Sequence, residues 1–308
     1  MAWNPISGQP NRAVAVGVAA LAGLVSFLSP CVLPLVPGDL SYVTRLAGGD
    51  RGKDPAGAAA LITKALARGI RKNDPVGAAQ WKIRAASSAA SLGNTDQMAP
   101  LIDAAEPVFR ADPKRFRSEL VEVNAARAQL WRRTGRIEDA IELLKASLPD
   151  VDIAYADNYR DRLTIYNNLL AYMIEANQLD AMPEIFARAD RITAADGQGD
   201  STLALMIEQL KGARFAKLEQ PARAEPIFQR VVAKRRAVFG RSAGLAVDLF
   251  QLGRVKAALG KYKEASLLLA VAWPMASEKL GPAAQPTLII GATVAEAHYG
   301  WKVGVPSY

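Results

Sequence analysis

The chain has one cysteine, Cys31, and one histidine, His298, in 308 residues. A lone cysteine closes no intramolecular disulfide and builds no cysteine-based structural zinc site. A lone histidine removes every His-pair metal site. It also leaves a Ser-His-Asp triad with a single candidate base, ten residues from the C-terminus. No metal or cofactor is expected. Aromatic residues make up only 7% of the chain. The basic cluster Arg230, Lys234, Arg235, Arg236 and Arg241 has only Phe239 among it and no aromatic interleaving that would support a stacking platform, so it reads as a solvated face and not a nucleic-acid site. The stretch from Ala47 to Asp54 has the glycines and lysine of a phosphate loop but lacks Ser or Thr after Lys53, and no strand precedes it. Nothing in the sequence assembles an active site, and the chain is expected not to be an enzyme.

What is present is hydrophobic and mildly basic. Half the residues are apolar and 22% are charged, which gives a core to bury and excludes a fully disordered chain. The net charge of +8 favours acidic partners or an anionic surface without specifying either.

Residues 13–36, AVAVGVAALAGLVSFLSPCVLPLV, contain no charged side chain. As a helix these 24 residues would reach about 36 Å, against a hydrocarbon core of about 30 Å, so the run is long enough to span a bilayer. The competing reading is a secretory signal, but no clean A-x-A cleavage site follows. Pro30, Pro34 and Pro37 break the helix around Cys31. A break in lipid needs neighbouring helices to satisfy the freed carbonyls, and no second apolar run of this length exists here. The segment from Gly23 to Gly38, with Ser29-Pro30-Cys31, Pro34 and Pro37-Gly38, followed by Leu40 to Thr44, resembles the first transmembrane segment of the CcdA/DsbD family of cytochrome c biogenesis proteins. That resemblance covers about residues 13–48 and implies a redox role for Cys31. The later helices and the second cysteine are absent, and a lone thiol cannot cycle between dithiol and disulfide within one chain.

Residues 55–308 repeat. Gly93, Gly135, Asn177, Glu219, Gly260 and Lys302 fall in one column, with steps of 42, 42, 42, 41 and 42. A second column holds Met98, Ala140, Met182, Ala224 and Ala265, and a third Ile102, Leu144, Phe186, Phe228 and Leu269. Upstream stand Ala86, Ala128, Leu170, Gly212, Gly253 and Ala295. Three residues later come Ala89, Trp131, Met173 and Phe215, a column that Lys256 and His298 break. Each unit reads as helix, turn, helix. In VEVNAARAQLWRRTGRIEDAIELLKASL an apolar stripe at three- and four-residue spacing stops at Thr134-Gly135 and resumes at Ile137. The small residue lets the second helix pack closely, and glycine supplies the left-handed backbone that ends the first. Trp131, Phe186, Phe215 and Phe228 are read as packing residues.

The period and the segments Leu249 to Ala272, Tyr166 to Leu170 and Glu278 to Pro282 resemble tetratricopeptide repeats of the kinesin-light-chain type. The resemblance implies an all-α, right-handed superhelical solenoid of antiparallel helix pairs, preceded by one Pro-broken apolar helix. The expected domains are a tail at 1–12, a transmembrane segment at 13–48, a linker at 49–54 and the repeats at 55–308. In such arrays the first helices line a concave wall that binds an extended peptide through amides and cations. Projecting that stripe gives Arg84, Gln129, Arg132, Asn167, Gln209, Phe250 and Arg254, with Asn167 the strongest because of its Asn-Asn pair. The set makes a mildly basic groove suited to an acidic or C-terminal peptide.

Stepping back 42 residues from Met98 reaches Ala56, in a segment that reads as a second helix without its first. Thr287 to Trp301 reads as a first helix without its second. An array open at both ends is expected to bind something, self-associate or fray; a truncated or fused reading frame gives the same pattern. Arg45, Arg51 and Lys53 follow the apolar run, against Arg12 before it, so the positive-inside bias puts the repeats in the cytoplasm. A cleaved signal would put them in the periplasm or outside. The function expected is a membrane-tethered scaffold presenting a peptide groove; the alternative is a piece of a thiol-disulfide electron carrier that uses Cys31.

Overall fold

The computed structural model describes residues 74–303 apart from 92, 93, 196, 198 and 200, and side chains as far as residue 295, except that of Ser91. The described residues are helical, with no strand among them. In order the helices are α1 Pro75–Ser91, α2 Met98–Arg110, α3 Arg117–Arg133, α4 Ile137–Ala154, α5 Tyr159–Glu175, α6 Met182–Ala195, α7 Thr202–Lys217, α8 Pro221–Phe239, α9 Ala243–Ala258, α10 Tyr262–Leu280 and α11 Gln285–Val303. They fall into two units that divide after Gly240. In the first, α1 packs on α2, α3 on α4, α5 on α6 and α7 on α8; in the second, α9 packs on α10 and α10 on α11. These are the helix pairs that the period predicts.

The turn inside each pair explains the first column. At the end of α3, the amide of Arg136 donates to the carbonyl of Trp131 (2.7 Å) and that of Gly135 to Arg132 (3.3 Å). This is a Schellman cap, which satisfies two carbonyls that the helix leaves unpaired. The same pair of bonds recurs after α5 (Gln178 to Met173, Asn177 to Ile174), α7 (Gln220 to Phe215, Glu219 to Ala216) and α9 (Lys261 to Lys256, Gly260 to Ala257). The cap needs a left-handed residue, and φ is +83° at Gly135, +58° at Asn177, +56° at Glu219 and +73° at Gly260. Two of the four are therefore not glycine. The column of Trp131, Met173, Phe215 and Lys256 supplies the accepting carbonyls, so a lysine serves there as well as an aromatic. At the far end the column fails: no turn forms at Lys302, because α11 continues to Val303. α5, α7 and α9 begin on capping side chains, with Asn158, Ser201 and Ser242 accepting from the amides of Asp161, Ala204 and Leu245.

The other columns are the core. Met98, Ala140, Met182, Ala224 and Ala265 are fully buried, and Ile102, Leu144, Phe186, Phe228 and Leu269 nearly so. A side chain at Gly212 would put its Cβ 2.8 Å from the Phe228 ring, and one at Gly253 would stand 3.2 Å from Leu269. The small column thus lies directly under the third column of the partner helix. Phe186 and Phe228 are buried as expected, whereas Trp131 and Phe215 are half-exposed, each under a guanidinium, Arg136 at 4.5 Å and Arg223 at 4.2 Å. Arg235 departs from the solvated face expected of its cluster: it is buried, in the column of Phe109 and Val151.

At one register of the first unit, the contact between successive pairs is charged, then apolar, then charged. Arg127 of α3 bonds Asp103 (2.9 Å) and Glu106 (2.5 Å) of α2. One period on, Leu169 and Leu148, both buried, stand at the positions of Arg127 and Glu106, and Lys145, paired with Glu142 (2.9 Å), at that of Asp103. One further on, Lys211 of α7 bonds Asp190 of α6 (2.7 Å). Between α4, α5 and α6, Asp152 accepts from Arg188 (2.7 Å), Arg162 (3.2 Å) and the Tyr166 hydroxyl (3.0 Å).

The apolar run 13–36, Cys31, the 49–54 linker and the segment around Ala56 lie outside the described residues. Among the described residues no helix is long and apolar enough to cross a membrane.

Candidate functional site: the seam between α3 and α5

The buried columns fix the rotational phase of the first helices. At 100° per residue, the outward stripe of α3 holds Glu122, Gln129 and Arg133, while Ala126 between them is buried in the core that α3 shares with α1 and α2; on α5 the stripe holds Thr164, Asn168 and Glu175. The first helices are unevenly spaced. The backbone of α1 lies close to that of α3, and that of α5 close to that of α7. α3 and α5 are instead joined through a side chain: Arg132 Nε donates to Glu175 at 2.6 Å, and its guanidinium lies 5.3 Å from the centre of the Tyr172 ring. The result is a seam between α3 and α5, lined by polar side chains.

One end of the seam is negative. Glu119 accepts from Gln80 of α1 (3.0 Å) and from the Ser118 hydroxyl (2.9 Å), and Asp161 from Asn158 (2.7 Å), all neutral donors. Glu122 makes no hydrogen bond or ion pair among the described residues. Although part of its surface is exposed, loss of water around its carboxyl raises its pKa above the usual carboxylate range. Arg84 opposes that rise, and Glu119 and Asp161 add to it. Burial also pushes up the phenol of Tyr155, reinforced by Glu122, Asp161 and Glu119. That phenol donates to the Ser118 carbonyl at 3.4 Å, behind the carboxylates.

The other end is positive. Arg133 has no carboxylate partner among the described residues, and partial burial, with the charge of Arg132 beside it, lowers its pKa. Tyr172 is buried with its phenol pushed up to about 12, by loss of water first. Between the two ends stand Gln129 on α3 and Asn168 on α5, both half-buried amides without a partner among the described residues. No group of three His, Cys, Asp or Glu among the described residues could hold a metal ion.

The seven residues projected from the sequence are dispersed. Arg84 is exposed on the outward face of α1, 6.0 Å from the Trp81 ring centre. Gln129 lies in the seam. Arg132 is turned to its side, already paired with Glu175. Asn167 is 1% exposed and its Oδ1 has no partner. It belongs to the packed shoulder of α5, and its neighbour Asn168 is the one that looks outward. Gln209 shares that shoulder column and is half-buried. Phe250 and Arg254 lie in the second unit, Phe250 fully covered with the Arg254 guanidinium 5.7 Å from its ring centre. The α3–α5 surface is therefore not the mildly basic groove expected but one with ends of opposite sign. The sequence projection misses Arg133, Asn168 and Glu122.

No family model matches the chain, and no curated protein matches it. Solved structures do. BtubC (BKLC) from P. vanneervenii is 20% identical with a TM-score of 0.55, over 75% of this chain and 92% of that one. A putative kinesin light chain of Podosopora anserina, described as nearly identical TPR-like repeats, is 16% identical with a TM-score of 0.53, over 67% of this chain and 98% of that one. A single-substitution variant of that protein gives a TM-score of 0.52 over 64% and 93%. At these identities the likeness establishes the fold: the repeats of this chain are folded as tetratricopeptide-like helix pairs.

Proposed function

We propose that this chain is a non-enzymatic interaction scaffold whose first helices take an extended segment of a protein partner. The observation that supports it is the seam itself. Gln129 and Asn168 are half-withdrawn from water with their amide groups unused, and Glu122 and Arg133 are exposed charges with no counter-ion in contact among the described residues. Half-withdrawn polar groups left unpaired cost stability, and a peptide backbone supplies the partners they lack. Residues 13–36 would hold the array at a membrane, and the excess of basic residues after the run supports a cytoplasmic side for the repeats.

The binding reading is tested by selecting a displayed random peptide library on the purified full chain in detergent. Peptides enriched by the native chain and lost with Gln129→Ala plus Asn168→Ala support it; enrichment that ignores those two residues overturns it. Cys31→Ser leaves the selection unchanged. Alkaline extraction of membranes tests the tether: the chain stays with the bilayer, and release into the supernatant overturns that part.

A further inference from the structure

We infer that the segment held in the seam is zwitterionic: it carries a carboxylate for Arg133 and Gln129 and a cation for Glu122, about five residues apart. The inference rests on the reading of the seam as a peptide site and adds what the peptide must contain.

Glu122 and Arg133 lie on one stripe of α3, eleven residues apart. At 1.5 Å per residue their backbones stand about 16 Å apart along the axis. An extended chain covers that distance in about five residues. Neither charge is used inside the protein. Arg84 alone faces the three carboxylates at one end, and it reaches Glu122 by field and not by contact. At the other end Glu175 is occupied by Arg132, which leaves Arg133 the cation without a counter-charge. The Gln129 and Asn168 amides between them match the backbone of the spanning residues. Helix dipoles account for acids in the first turn and bases in the last turn of α3. They do not account for Glu122, which lies beyond the first turn, nor for the absence of a counter-ion at Arg133. A uniformly acidic peptide would meet Glu122 and its neighbours with like charge, and a uniformly basic one would meet Arg132 and Arg133.

The geometry leaves the chain direction of the peptide open, so the test reads sign and spacing rather than order. The full chain is challenged with a twelve-residue random displayed library. The native protein should enrich peptides with one Lys or Arg and one Asp or Glu separated by about four to six positions, in either order. Glu122→Lys should convert the selected pattern to two carboxylates at the same spacing, and Arg133→Glu to two cations. For a peptide selected on the native chain, Arg133→Ala and Glu122→Gln should each weaken Kd by about tenfold, and less at high salt. Both residues are exposed and unpaired, so folding should survive, which the far-UV circular dichroism of each variant checks. Seam-dependent peptides without paired opposite charges, or patterns unmoved by the two charge reversals, overturn this inference and leave the scaffold reading intact. Selection of nothing that depends on the seam overturns both.

Discussion

Glu219 offers a sharp test of the repeat turn. It holds φ at +56° in the left-handed region, at the position that Gly135 and Gly260 occupy in other repeats. A residue with a Cβ sits there at a cost of about 1–2 kcal/mol. Glu219 is exposed and makes no hydrogen bond or ion pair through its side chain among the described residues, so removing that side chain forfeits no contact. Glycine relieves the strain but gives the unfolded chain more freedom, which offsets about 0.4–1 kcal/mol. Glu219→Gly should therefore stabilise the repeat by about 0.5–1 kcal/mol. The reciprocal change isolates the backbone: a Cβ at Gly135 meets no atom within 4 Å, so Gly135→Ala should destabilise by a similar amount through φ alone. Urea unfolding followed by circular dichroism reads both, with the midpoints moving in opposite directions and equal slopes. Repeat arrays unfold in more than one step, so local hydrogen exchange of α7 and α8 should accompany the Glu219 variant. A lower midpoint for Glu219→Gly, or no loss for Gly135→Ala, would refute the assignment of this column to a left-handed cap.

Gly212→Ala should destabilise by about 1–3 kcal/mol of overpacking less about 1 kcal/mol of gained helix propensity, because its Cβ meets the rigid Phe228 ring at 2.8 Å. Gly253→Ala, against the flexible Leu269 at 3.2 Å, should be close to neutral, and thermal melts of the two variants rank them. Alkaline unfolding should be steep. Burial holds the phenols of Tyr166 and Tyr172 up at about 12, so the stability they contribute is complete below their ordinary pKa of about 10 and is lost as pH rises from there through about 12. Tyr166→Phe removes the hydroxyl that donates to Asp152. It should cost about 1 kcal/mol at neutral pH and flatten that alkaline slope in urea titrations; an unchanged slope would remove Tyr166 from the account.

The fold was legible because its columns record backbone needs. A left-handed cap calls for glycine, a close helix approach for a small residue, and a core for bulk, and each leaves a mark every 42 residues. Asn177 and Glu219 were placed by register where residue type alone would have missed them. The site was less legible, because its residues are read from rotation. One position of error turns a helical side chain by 100°. Arg132 and Asn167 each lie one residue from the outward-facing Arg133 and Asn168, so a projection one position out falls on the shoulder of the helix. Setting the phase from the small column, with Ala128 inward, does not isolate Glu122 and Arg133 either, because the buried Ala126 and Leu130 lie nearer the opposite direction. That Arg132 is consumed by Glu175 leaves no local signature, since the partner lies 43 residues away.

The alternation of junctions in the first unit sets what can be exchanged within it. Excising one period between α2 and α5 would press Asp103 and Glu106 against Leu169, stranding carboxylates that Arg127 now neutralises. Excising two would set them against Lys211, a cation of the kind they already face. At this register a step of two repeats keeps Glu106 opposite a cation, while a step of one sets its carboxylate against Leu169.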